Sequence, residues 1–241
     1  MVPTSHPLLT LLLAAADGHY PPVDGGVTVL PPLRRGLECS VAFTGHAVVA
    51  TALSEETVLG LGANGFGGSL TPGLLSHLAG PGGWIDVIDV TLVARGTGRA
   101  SAPPSAPATA SAPATPALPE RHDAEDFPRV RHARDVRRGV RVYGDERGVV
   151  TLAADGLAGR RELSIELEGS ERTAGRGAGR ALLRDALDLV PAGEPVFAAV
   201  SPGNARSLRA FLAAGFTPLG SEVLLRPARD TAAPVAAAGA P

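Results

Sequence analysis

The chain has no lysine, one cysteine, one methionine and one tryptophan among its 241 residues. The single cysteine, Cys39, excludes an intrachain disulfide. It lies in the strand-like run LECSVAF, where a thiol reads as a small buried hydrophobe. A nucleophilic thiol would need a cationic neighbour, and the sequence identifies none. The missing lysine excludes a P-loop, which requires Gly-Lys-Ser/Thr. All 22 basic side chains are arginine and face 24 acidic ones, for a net charge of −2. Such a balance creates no field of one sign, so neither nucleic acid nor an anionic membrane is an expected partner. No long apolar run is present either. PLLTLLLAAA, Pro7 to Ala16, is too short to span a bilayer. No Lys or Arg precedes it, unlike a signal peptide. It is expected to be a helix docked on the core of a cytoplasmic protein.

What the chain does have is apolar content, 44% of all residues. That suffices for a core in one large domain or two small ones. The clearest boundary is residues 96–126, rich in Ala, Pro, Ser and Thr and almost without large apolar side chains. Such a segment cannot bury enough surface to offset its ordering entropy and reads as a disordered linker. Residues 1–95 before it read as an α/β part. ECSVAFTGHAVVATAL gives two strands around Thr-Gly-His. Ser54 caps a helix with Glu56 in its first turn. Thr71 caps another, with Pro72 at the first helical position. Trp84 to Ala94 reads as one strand.

After the linker, GVRVY and VVTLAA form a hairpin around GDERG. Residues 161–169 alternate strictly, with Leu163, Ile165 and Leu167 on one face and Glu162, Ser164, Glu166 and Glu168 on the other. A glycine loop follows, and then a helix with Leu182, Leu183, Ala186, Leu187 and Val190 at helical spacing. EPVFAAVSP is a strand, NARSLRAFLAAGF a helix ended by Gly215, and SEVLLRP a last strand. Residues 127–227 therefore read β-β-β-α-β-α-β, and 228–241 as a disordered tail.

The glycine loop is the informative stretch. Glycine weakens a helix start by about 1 kcal/mol per residue relative to alanine. Yet Gly175, Gly177 and Gly179 stand where a helix opens. The first N–H groups of a helix lack internal partners and carry partial positive charge. Glycines let a phosphate approach that backbone, and Arg176 and Arg180 add charge-assisted bonds. A tight turn with no ligand explains the same glycines. A Rossmann fingerprint does not fit, because the loop follows antiparallel-type strands.

Two motifs in order, GRGAGRALL (Gly175 to Leu183) and NARSLRAFLAAGF (Asn204 to Phe216), resemble those of the GNAT family, the acyl-CoA-dependent N-acetyltransferases. The resemblance covers about residues 127–227. It implies an α/β (α+β) fold, with a mixed central sheet flanked by helices. The N-terminal part would be an additional α/β piece, either a divergent companion half or an unrelated cap. It also implies that the strands LSIELE and VFAAVS run parallel and splay apart. Acetyl-CoA, the implied co-substrate, would pass its pantetheine arm along the first strand near Leu167. Its pyrophosphate would rest on Gly175, Arg176, Gly177, Ala178, Gly179 and Arg180, with Asn204 as an anchor or a helix cap. The reaction would move an acyl group to a small-molecule or peptide amine, with no metal, and the resemblance is compatible with a homodimer. By position Glu162 would be the base, with Glu166 or Glu168 able to substitute. Three carboxylates on a solvated strand face explain the same residues.

Two departures stand out. Ala174 occupies the loop position that is usually Gln or Arg in the family, unless a second register puts Arg172 there. Phe211 replaces the usual tyrosine acid, and Phe cannot donate a proton. This departure leaves open a catalytically weak or inactive acyl-CoA-binding module.

Overall fold

The computed structural model describes residues 5–98, 118–168 and 177–229. Ten strands and six α-helices lie within them, paired both parallel and antiparallel, so the class is mixed α+β. Loop residues Arg172, Ala174, Gly175 and Arg176, most of the expected linker and most of the expected tail lie outside the described residues. No helix among the described residues is long and apolar enough to cross a membrane.

In chain order the elements are α1 (Pro7–Ala16), β1 (Val27–Leu30), β2 (Glu38–Phe43), β3 (His46–Ala50), α2 (Glu55–Gly60), α3 (Pro72–Ala79), β4 (Trp84–Ile85) and β5 (Asp89–Arg95). They continue with α4 (Pro128–Val136), β6 (Arg138–Asp145), β7 (Gly148–Asp155), β8 (Glu162–Leu167), α5 (Ala178–Leu187), β9 (Pro195–Val200), α6 (Ala205–Ala213) and β10 (Thr217–Arg226). They group into two compact units. The larger is Met1–Pro22 with Ile88–Glu222, and the smaller is Val23–Val87 with Val223–Pro241.

In the larger unit the strand order is β10-β5-β9-β8-β7-β6. The β6–β7 hairpin and β8 are antiparallel neighbours, as the alternation predicts. One apolar core joins Leu163 of β8, Leu182, Leu183, Ala186 and Leu187 of α5, Val200 of β9 and Phe211 of α6. Phe211 and Phe216 meet edge to face at 4.9 Å. The helical periodicity of α5 is thus a core stripe, with Arg180 and Arg184 outside. Helix α1 buries Leu8, Leu12 and Ala15, as expected of a docked helix.

In the smaller unit β3 pairs antiparallel with β2 and parallel with β1. Cys39 is a buried thiol of β2. The side chains of Ser54 and Thr71 accept from the N–H groups of Thr57 and Leu74 and start α2 and α3, as their sequence context predicts.

The grouping differs from the division into 1–95, 96–126 and 127–227. Trp84 to Ala94 is not one strand. It breaks at Asp86, whose carboxylate accepts from the Val87 N–H at 2.8 Å, and β4 and β5 serve different units. Strand β5 lies antiparallel against β9, from Val90↔Val200 to Arg95↔Pro195, and puts Leu92 and Ala94 into the core of the larger unit. Without β5 both β9 and β10 would expose an unpaired edge. The expected linker also extends too far. Leu118 joins that core, and Ala124 packs with Val130, Val142 and Val149 under α4.

A chain reduced to Leu118–Arg229 therefore lacks α1 and β5, and it should not fold alone. Circular dichroism and urea titration of that fragment check this. A cooperative transition at the midpoint of the full chain would refute the role given to β5.

Candidate functional site

The site is built around β8 and β9. They run parallel but form one bridge only, Glu162↔Phe197, with the Phe197 N–H donating to the Arg161 carbonyl at 2.9 Å. Beyond it β8 stays with β7 through Leu167, and β9 stays with β5 through Val200. The two strands part after a shared vertex. Glu168 N–H donates to the Arg147 carbonyl. By the alternation of an antiparallel ladder, Ile165 and Leu167 therefore turn their backbone groups away from β7, toward the opening.

Helix α5 starts beside that opening. Gly177 occupies its N-cap position at φ +83°, a left-handed conformation that favours glycine, and supplies no capping side chain. The N–H groups of Ala178, Gly179 and Arg180 thus head the helix without a side-chain cap. Gly179 is buried. A Cβ there would lie 3.6 Å from Leu167 Cδ1, and 3.7 Å from both Ile165 Cδ1 and Ala210 Cβ. Leu167 and the start of α5 are thus side by side, with α6 against them. Asn204 opens α6, and its side chain accepts from the Ser207 N–H at 3.1 Å, so it acts as a helix cap.

Glu162 lies at the vertex, five residues or about 17 Å along the strand from Leu167. The carboxylate face expected to be solvated is covered there. Glu162 accepts from the Leu157 N–H at 3.1 Å and Arg160 Nε at 2.7 Å through one oxygen, and its other oxygen is ion-paired with Arg137 Nε at 2.5 Å. Arg160 in turn grips Glu222 of β10 with both terminal nitrogens, at 2.8 and 2.6 Å. Glu222 accepts from the Thr91 hydroxyl of β5 at 2.5 Å. The Arg160 guanidinium lies 5.1 Å from the centre of the Phe197 ring. Arg160, Glu162 and Glu222 are buried, and Arg137 nearly so.

Burial alone would raise the Glu162 carboxyl, but the charges of Arg137 and Arg160 outweigh it and hold the group down at about 2. Burial disfavours the Arg160 cation, and Glu222 and Glu162 more than restore it, so its pKa is raised. Gly156 makes room for this arrangement, since a Cβ there would sit 2.5 Å from Glu162 Cδ.

Glu166 accepts from the Arg129 N–H in the first turn of α4 at 2.9 Å, so it caps a helix whose own N-cap is Phe127. Glu168 lies 3.8 Å from Arg121. Each carboxylate on this strand has a structural partner. Among the described residues no group of three His, Cys, Asp or Glu side chains could hold a metal ion.

No family model, curated protein or solved structure matches this chain. Its chemistry must be read from its own residues. The strands β8 and β9 and the helix that opens after the glycine loop were legible in the sequence. Arg160, Arg137, Glu222 and Thr91 were not, because nothing local in GRRELS or SEVLL distinguishes a buried charge from a solvated one.

Removing one partner from such a cluster strands a buried charge, at a cost of about 3–5 kcal/mol. Glu162→Gln should lower stability by that order. Because the folded pKa of Glu162 lies below its unfolded value, its contribution is complete above the ordinary carboxylate range and fades as pH falls toward 2. Urea midpoints between pH 5 and pH 2 should fall less steeply in Glu162→Gln than in the unmodified chain. Parallel slopes would contradict the pairing.

Proposed function

We propose that the larger unit is an acyl-CoA-dependent N-acyltransferase of the GNAT type, transferring an acetyl group to an amine. The observation that carries this reading is the single β8–β9 bridge, Glu162↔Phe197, followed by divergence of two parallel strands. A slot with backbone donors and acceptors on one wall suits an extended amide-bearing arm such as pantetheine. The α5 start, with glycines at 177 and 179 and Arg180 exposed, suits the pyrophosphate. Gly175 and Arg176 complete the proposed loop in sequence. Acyl transfer then needs an amine without its proton, an acceptor for the proton it releases, and donors for the oxyanion.

Glu162 is a poor proton acceptor while two arginines hold it. Its role in this reading is to anchor the vertex, and Glu166 is engaged at α4. The amine therefore enters as the free base and passes its proton to water, which favours amines of low basicity.

Two observations favour a second reading, a binding module with little or no turnover. Phe211 is buried against Phe216 and offers no proton to a leaving thiolate, and Glu162 is neutralised by its partners. In both readings the slot binds acyl-CoA.

Isothermal titration of acetyl-CoA and of CoA into the full chain tests the shared part, with micromolar binding as the expected result. Gly177→Val places a β-branched residue at φ +83° and should weaken binding by at least about tenfold. Unchanged affinity would remove the loop from the site. Thiol release over a panel of amines then separates the two readings, with turnover expected for weakly basic amines at neutral pH and for more basic amines only as the pH rises.

A further inference from the structure

The smaller unit carries a hydrogen-bonded chain of three side chains that the acyl-CoA reading does not use. Asp24 Oδ1 lies 2.8 Å from His46 Nδ1, and His46 Nε2 lies 2.9 Å from Thr28 Oγ1. His46 begins β3, Thr28 sits on the neighbouring β1, and Asp24 lies in the turn before it. The parallel register Thr28↔Val48 puts Thr28 and His46 on the same face of the sheet. His46 is nearly buried, while Asp24 and Thr28 are open enough to be reached.

The geometry fixes one proton in this chain of three. Hydrogen bonds from His46 and from the Gly26 N–H hold the Asp24 carboxyl below its ordinary range. An ionised carboxylate only accepts. Nδ1 therefore carries a proton, and in the neutral imidazole Nε2 presents its lone pair to the Thr28 hydroxyl, which donates. An acid, an oriented imidazole and a hydroxyl in this order are the parts of an activated nucleophile.

The surroundings add a backbone donor at the sheet edge and two exposed apolar side chains. Ala47 N–H donates to the Gly26 carbonyl and Thr51 N–H to the Leu30 carbonyl. Even-numbered β1 residues thus face β3, and the Val29 N–H, one peptide beyond Thr28, points off the outer edge of β1. Phe66 is 75% exposed and Val23 69%. The Phe66 ring lies against Gly25, where a Cβ would come within 2.7 Å of it. Val23 lies against Gly45, where a Cβ would come within 2.4 Å. Both glycines have positive φ, so the turn that carries Asp24 and the turn that precedes His46 each hold an exposed apolar side chain beside the chain of three.

We propose that Thr28, His46 and Asp24 form a second catalytic centre that hydrolyses esters of small acyl groups. Thr28 Oγ1 attacks the ester carbonyl carbon, and its proton passes to His46 Nε2. The Val29 N–H stabilises the oxyanion. Collapse breaks the bond to the alcohol oxygen, which takes the proton from His46 and leaves. Water, deprotonated by His46, then cleaves the acyl-threonine ester and restores the hydroxyl. Asp24 keeps the imidazole oriented and balances its charge while it is protonated. Phe66 and Val23 cover the apolar part of the substrate.

The test uses the full chain and p-nitrophenyl acetate. The expected result is release of p-nitrophenolate, with an acetyl group on the Thr28 peptide by mass spectrometry after an acid quench. Thr28→Val, which keeps the shape without the hydroxyl, and His46→Gln should each slow release by at least about 100-fold. Thr28→Ser should retain release. An unlabelled Thr28 peptide, or release by Thr28→Val at the rate of the unmodified chain, overturns the proposal. Should Thr28→Val fail to fold, peptide mapping of the unmodified chain decides by itself.

Discussion

Where β8 and β9 meet, two arginines and two glutamates sit almost out of water. Each charge would be costly if left alone. Together Arg137, Arg160, Glu162 and Glu222 are neutral, and nearly every polar atom they offer finds a partner among Thr91, Ser164 and the Leu157 N–H. The cluster joins β8 to β10 through Arg160, β10 to β5 through Thr91, and β8 to the end of α4 through Arg137. Arg160 also covers the Phe197 ring at the bridge itself. The two strands can diverge toward Leu167 and Val200 because they are fixed at one point. The cluster demands room as well, and Gly156 supplies it. A larger residue there would displace the Glu162 carboxylate and with it the vertex.

Local patterns were legible in the sequence because they express local physics. The spacing of Leu182, Leu183, Ala186 and Leu187 is a helix stripe whatever lies opposite it. Ser54 and Thr71 cap helices within three residues of themselves. The alternation of β8 correctly sorts Leu163 and Ile165 from Glu162 and Ser164. The larger grouping was not legible, because it depends on pairing between distant segments. Strand β5 reads as the end of an N-terminal half, yet its partners are β9 and β10, more than a hundred residues on. Nothing in DVTLVAR specifies those partners beyond an apolar strand that needs two neighbours.

The carboxylates of β8 show how residue type misleads. A row of glutamates on alternating positions reads as a solvated face or as a catalytic one. Glu162 is neither, because Arg160 in the turn before β8 and Arg137 at the end of α4 both reach it. Glu166 caps α4, a helix whose own cap residue, Phe127, has no side-chain acceptor. These roles are assigned by what packs across the strand. The same reasoning relocates the significance of Phe211. As an acid it would be a loss, but in the core it pairs with Phe216 and holds α6 against the sheet, an apolar role that a tyrosine would fill only with a partner for its hydroxyl.

What distinguishes a reactive group from a structural one here is which lone pairs remain unengaged. The Glu162 carboxylate accepts from the Leu157 N–H and Arg160 and is ion-paired with Arg137, so a further proton must displace an ion pair before it can bind. The His46 ring has the opposite arrangement. Its Nδ1 proton is committed to an ionised Asp24, so in the neutral ring the Nε2 lone pair faces the Thr28 hydroxyl. A glutamate between two arginines and a histidine between an aspartate and a threonine both look fully paired. Only in the second does the pairing leave a base in contact with a nucleophile. Acceptors saturated by cations make a strut, and an acceptor oriented by an anion toward a hydroxyl makes a reaction centre.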